Sequence, residues 1–201
     1  MPISNGDQMP EGSLKVMTDS GIKDMSTADL FNGRKVTLFS VPDAFTPTCS
    51  NKYLPSYLEN YGAIKTKGFD TIAYMAVNDA FVMDAWGKDR GVGDKIVMLA
   101  DGNGEYTKKL DLELDVSRAG LGMRGKRFSI MVNDGIAEQV NIDESGYDLA
   151  SAEMTCGLGD RPRDLKRTAR RHQPADWSSV ARFLQLKSAP HPRYKLPLSP
   201  K

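Results

Sequence analysis

Short β-type runs alternate with helix-type stretches along most of the chain, and that alternation leaves few folds open. The runs span residues 35–41, 71–77, 95–100, 127–133 and 136–142. They are rich in β-branched and aromatic residues and are bounded by Gly, Asn or Asp, as strands are. Asn133-Asp134-Gly135 joins the last two as a tight hairpin, because Asp-Gly tolerates positive φ. Between the runs, residues 49–65 place Tyr53, Leu54, Tyr57, Leu58, Tyr61 and Ile64 on one helical stripe. Residues 79–88 do the same with Phe81, Val82, Ala85 and Trp86. A shorter helix is expected over 105–112 and a further one from about 150 to 156. Residues 14–18 add a peripheral strand. The pattern predicts an α/β fold: a central sheet of mixed strand direction, flanked by helices on both faces.

Composition bounds the rest. A length of 201 residues suits one domain with an appendage. No apolar run is long enough to span a membrane, and residues 1–11 carry no charged-then-apolar signal pattern. Two cysteines, Cys49 and Cys156, exclude a disulfide framework and point to a reducing, cytoplasmic setting. The net charge of +1 hides a split. Residues 157–201 hold 11 Lys and Arg against 3 Asp, so the first 156 residues are net acidic. The same tail holds 6 of the 11 prolines and both histidines. We therefore expect a folded domain over 1–156 and a basic, proline-rich, disordered extension over 157–201, in which only 177–186 has helical spacing. Such a tail can attract nucleic acid or acidic membrane without specificity. A solvated extension is the plainer reading, and no specific nucleic-acid or membrane partner is expected.

The chemistry centres on Val41-Pro42-Asp43-Ala44-Phe45-Thr46-Pro47-Thr48-Cys49-Ser50. A free cysteine is often no more than a small buried hydrophobe. Cys49, however, follows a strand and opens a helix, where the helix dipole favours a thiolate. A thiolate that attacks a peroxide O–O bond also needs a hydrogen-bond donor to orient the peroxide and preorganised donors for the charge on the departing oxygen. Thr46 lies on the same turn, and Arg127 can supply a guanidinium. Pro42 has no N–H and can shield the sulfur from water.

The spacing of Pro42, Thr46 and Cys49, P-x-x-x-T-x-x-C, resembles the active-site motif of peroxiredoxins. Val77-Asn78-Asp79-Ala80-Phe81-Val82-Met83 and Lys126-Arg127-Phe128-Ser129-Ile130-Met131-Val132-Asn133-Asp134-Gly135 resemble the type-5 (type II, atypical) branch. The resemblance covers roughly residues 3–156. It implies a thioredoxin-like fold and a thiol-dependent peroxidase without metal or organic cofactor, acting on hydrogen peroxide and small alkyl hydroperoxides. Cys49 matches the peroxidatic cysteine, Thr46 and Pro42 its motif partners, and Arg127 the active-site arginine. A homodimer is also implied.

The second cysteine of that family is harder to place. Its two usual positions correspond to Ser151 and Tyr74 here, so both are empty. Cys156 lies a few residues past the first; it is either a buried cysteine or a resolving one. Without a resolving cysteine the sulfenic acid must be reduced from outside, as in members that resemble a glutathione/glutaredoxin-dependent branch, or by thioredoxin. Other signals are weaker. Gly120-Leu121-Gly122-Met123-Arg124-Gly125 fits a dinucleotide fingerprint literally but precedes a strand instead of following one, so it reads as a flexible loop delivering Arg127. His172 and His191 lie in the tail, which argues against a Cys-His protease, and no Cys or His stands at metal-chelating spacing. Trp86 and Phe81 read as core or interface residues. The rival reading is a peroxide-sensing, redox-regulated binding or chaperone protein, which would be oxidised once and not turn over.

Overall fold

The computed structural model describes residues 1–143 apart from Thr48, with the backbone alone at Lys52. The expected boundary at residue 156, the helix over 150–156, Ser151, Cys156 and the segment 157–201 lie outside the described residues.

The chain forms β1 (Ser13–Thr18), β2 (Gly21–Ser26), α1 (Thr27–Phe31), β3 (Lys35–Ser40), α2 (Leu54–Glu59), α3 (Tyr61–Thr66), β4 (Thr71–Ala76), α4 (Ala80–Asp89), β5 (Val97–Ala100), α5 (Glu105–Lys109), β6 (Glu113–Asp115), β7 (Met123–Gly125), β8 (Phe128–Asn133) and β9 (Ile136–Ile142). Seven strands make one sheet in the order β2-β1-β5-β4-β3-β8-β9. The three central strands are parallel, and antiparallel pairs flank them on both sides, so the sheet is mixed as expected.

The central strands are buried on both faces, which explains their near-continuous apolar runs. Phe39, Ile72, Tyr74 and Ala76 face one core, shared with Tyr53, Tyr57, Met83 and Trp86. Val36, Leu38, Ala73 and Met75 alternate into the other, with Leu99, Tyr106, Phe128 and Ile130. The hairpin between β8 and β9 turns on Asp134 (φ 46°) and Gly135 (φ 78°), the paired left-handed conformation that a two-residue hairpin loop requires.

Three expectations need correction. The single helix over 49–65 is a π-helical turn, Cys49–Tyr53, followed by α2 and α3 with a break at Asn60. The break is closed locally, where the Asn60 side-chain amide donates to the Ser56 carbonyl at 2.9 Å. The peripheral strand near residue 14 is β1, an internal strand between β5 and the unforeseen β2. The supposed loop at 120–125 ends in β7, which pairs with β6 in a separate two-stranded sheet. Among the described residues, no helix is long and apolar enough to cross a membrane.

Candidate active site

β3 and β4 are parallel neighbours, so their carboxyl ends open on the same edge of the sheet, where α/β folds place their sites. The loop leaving β3 and the loop leaving β4 grip each other there. The Ala44 N–H donates to Asn78 Oδ1 at 3.0 Å, and Asn78 Nδ2 donates to Asp43 Oδ1 at 2.6 Å. Phe45 then takes a left-handed conformation, φ 58°, which is uncommon for a bulky residue and reverses the chain sharply. The Thr46 hydroxyl donates to the Asp43 carbonyl at 3.1 Å, and the Ser50 N–H donates to the Thr46 carbonyl at 2.9 Å. These bonds carry the chain from extended loop into helix.

Cys49 heads the π-helical turn as a free thiol, only 2% exposed. Arg127, also 2% exposed, brings Nη2 to 3.8 Å from Cys49 Sγ. A buried guanidinium is tolerable only when it is paired and hydrogen-bonded. Arg127 meets that condition on several sides. Its carbon centre lies 4.8 Å from the Tyr53 ring centroid, and its Nε lies 3.4 Å from Asp143 Oδ2. An aromatic wall backs the sulfur. Phe39 stacks on Tyr57 at 3.6 Å and on Tyr74 at 4.2 Å, and Tyr74 meets Trp86 at 5.0 Å. The Trp86 indole donates to Ser50 Oγ at 3.0 Å, tying α4 to the residue after Cys49. Burial pushes the Tyr74 phenol well above its ordinary range, and its electrostatic coupling to Cys49 and Tyr53 adds to the shift. Tyr74 therefore stays neutral at working pH and cannot act as a base.

The fold thus brings Cys49 and Arg127, 78 positions apart in the chain, into contact. Pro42 stands half-buried at the start of the same loop. Thr46 differs from expectation in one respect. Expected as a donor, its hydroxyl instead gives its proton to the Asp43 carbonyl, which leaves the oxygen only as an acceptor for any further partner. Trp86 is core, whereas Phe81 is 67% exposed.

Sequence reasoning missed Asp143, and a bulge explains why. Asn133 pairs with Ile136 across the turn, and without interruption that register would set Ile142 opposite Arg127. A one-residue shift at Met131/Val132 sets Ile142 opposite Phe128 instead, and the Asp143 N–H donates to the Arg127 carbonyl at 2.9 Å. No sequence signal marks that shift. Asp43 and Asn78 lay inside quoted motifs, but their contact could not be read from spacing.

Comparison with known proteins agrees with this geometry. The Redoxin family profile matches residues 4–154. Peroxiredoxin-2E, chloroplastic, of Arabidopsis thaliana is 44% identical over 156 residues, covering 75% of this chain and 67% of that protein. Peroxiredoxin-2C of Oryza sativa subsp. japonica is 42% identical over 154 residues, covering 76% of this chain and 95% of that one. The chain belongs to the peroxiredoxins, within the redoxin family. The fold of this peroxiredoxin superposes on reduced Prx3 of Vibrio vulnificus in complex with hydrogen peroxide. The TM-score is 0.73 at 38% identity, covering 77% of this chain and 98% of that one. The fold is therefore thioredoxin-like, and this peroxiredoxin is a thiol-dependent peroxidase.

Proposed function

We propose that Cys49 is the nucleophile of this peroxidase and that Arg127, Thr46 and Pro42 complete its site, in a chain of the type-5 branch. The observation that carries the reading is the buried Arg127 guanidinium 3.8 Å from a buried sulfur at the head of a helix. The Cys49 thiolate attacks one oxygen of hydrogen peroxide or a small alkyl hydroperoxide. The S–O bond forms as the O–O bond breaks, and the departing oxygen leaves as water or an alcohol after taking up a proton. Thr46 Oγ accepts the O–H of the peroxide and aligns it. Arg127 stabilises the charge developing on the departing oxygen. Pro42 presents a face without an N–H donor. Cys49 is left as a sulfenic acid. One external thiol condenses with it, releasing water and forming a mixed disulfide. A second thiol then releases Cys49 as thiol and the oxidised reductant as a disulfide.

Tyr74, a buried phenol, occupies one resolving position, and this supports an external reductant, glutathione with glutaredoxin or else thioredoxin. Two cysteines in 201 residues support a reducing, cytoplasmic setting. Phe45, in the loop before Cys49, and Phe81, on α4, are exposed large aromatics, and they support a homodimer.

Peroxide consumption with each reductant tests the reading. Sustained turnover with glutathione and glutaredoxin is expected, and Cys49→Ser should abolish it while leaving the fold intact, since a serine hydroxyl is not ionised at neutral pH. A single oxidation without turnover would favour the sensor reading, and near wild-type turnover by Cys49→Ser would remove the assignment. Cys156→Ser should keep most activity. Mass spectrometry of peroxide-treated wild type should show Cys49 as a sulfenic acid or glutathione adduct. A dominant Cys49–Cys156 disulfide, with activity lost in Cys156→Ser, would make Cys156 the resolving residue.

A further inference from the structure

We propose that Asp43 is a positioning residue for the peroxide reaction, its carboxylate clamped between Asn78 and Arg124 so that the turn carrying Thr46 is held in register with Cys49. The inference rests on the assignment of Cys49 as the reacting thiol. The two carboxylate oxygens of Asp43 are divided between two elements. Oδ1 accepts from Asn78 Nδ2 at 2.6 Å, and Oδ2 lies 3.6 Å from Arg124 Nε. The carbonyl of the same residue accepts the Thr46 hydroxyl at 3.1 Å. One residue therefore links the β4 exit loop, the small β6–β7 sheet and the Thr46 side chain.

Arg124 is itself oriented. It sits on β7 opposite Leu114, and its Nη1 donates to the Met123 carbonyl at 3.1 Å. Three residues further on, the same strand-to-strand segment delivers Arg127 to the sulfur. The segment thus places one cation on each end of the loop, Arg124 at Asp43 and Arg127 at Cys49. The Asp43 and Arg124 side chains are 12% and 24% exposed, so water screens this pair less than a surface ion pair. The loop has other holds, in the Ala44–Asn78 and Ser50–Thr46 bonds, so the fold survives without the ion pair. What the pair adds is placement of the Thr46 oxygen, and reaction rates are sensitive to displacements of about 1 Å.

The test uses the full chain carrying Asp43→Asn, which keeps shape and loses charge, and Arg124→Met and Arg124→Lys. Stopped-flow oxidation of the reduced protein by hydrogen peroxide is compared with alkylation of Cys49 by iodoacetamide, a reagent that does not need Thr46. Asp43→Asn and Arg124→Met should slow the peroxide reaction by about 5–10-fold, the loss expected for one charge-assisted contact. Alkylation should stay within about twofold, because the thiol and its arginine are untouched. Arg124→Lys should recover at least part of the loss. Peroxide rates within about twofold of wild type in both Asp43→Asn and Arg124→Met would overturn the proposal, since a positioning contact must show in rate. An equal fall in alkylation would also overturn it, because the effect would then lie in the thiol or the fold. A fast phase persisting in Cys49→Ser would locate the failure one level down, in the assignment of the reacting thiol.

Discussion

Arg127 contacts two partners, the Cys49 sulfur and the Asp143 carboxylate, and the two together set what a substitution there does. Its guanidinium touches the Cys49 sulfur through Nη2 and approaches the Asp143 carboxylate through Nε, with both side chains of the ion pair almost fully buried. In the proposed mechanism, replacing Arg127 with Ala removes the group that meets charge on the departing oxygen, and the peroxide reaction should slow by roughly 10²–10³-fold. It also removes one partner of the buried Arg127–Asp143 pair, a loss that costs about 3–5 kcal/mol in such pairs. The two losses are separable. Adding Asp143→Asn to Arg127→Ala removes the buried carboxylate charge as well, so part of the lost stability should return while the rate does not. Urea unfolding and stopped-flow oxidation on the single and double variants check this. A rate that recovers together with stability would mean that Arg127 only supports the fold. Tyr74 shows the same economy of charge. Burial holds this phenol, in the core behind Cys49, in its neutral form.

The elements differ in how far their residues announced them. Strands with a buried face were legible because side chains must alternate or run continuously apolar to fill both cores; β9 spans Ile136–Ile142 as read, and β3, β4 and β8 differ from their readings only at an end residue. β2 was not legible. Gly21–Ser26 is an outer strand with no fully buried residue, so nothing in its composition had to be apolar. The helix after Cys49 shows the opposite limit. Its stripe was read correctly, since Tyr53, Leu54, Tyr57 and Ile64 are buried, yet a π-helical turn and the break at Asn60 leave such a stripe intact. The site follows the same division. Cys49 and Arg127, which the structure brings into contact, were singled out by their neighbours in sequence. Asp143 reaches Arg127 only through a bulge in the β8–β9 ladder, and Asp43 reaches Arg124 only through a second sheet. Contacts that depend on register between distant elements leave no local mark.

At the scale of the molecule, two cores on opposite faces of one sheet each contain a buried tyrosine whose hydroxyl lacks a hydrogen-bond partner among the described residues. Tyr74 lies in the core behind Cys49, and Tyr106 lies in the other. Burial raises both phenols above the ordinary value of 10, and the Asp101 carboxylate adds to the shift at Tyr106. The sign of the linkage follows. The folded protein holds these protons where the unfolded chain has begun to release them. The tyrosines therefore contribute their full stability below pH ~10 and lose it progressively above. Each should steepen the alkaline fall by about 1.4 kcal/mol per pH unit until it ionises in the folded state. Tyr106→Phe isolates one of them. It removes a hydroxyl that makes no hydrogen bond to the described residues and keeps the ring, so stability at neutral pH should be unchanged or higher. Between about pH 10 and 11.5 the slope of stability against pH should lessen by roughly 1.4 kcal/mol per unit. Urea unfolding of wild type and Tyr106→Phe across that range measures both quantities. An unchanged slope would mean that Tyr106 titrates alike in the folded and unfolded chain, and a loss of stability at neutral pH would mean that its hydroxyl has a bonding partner, such as water.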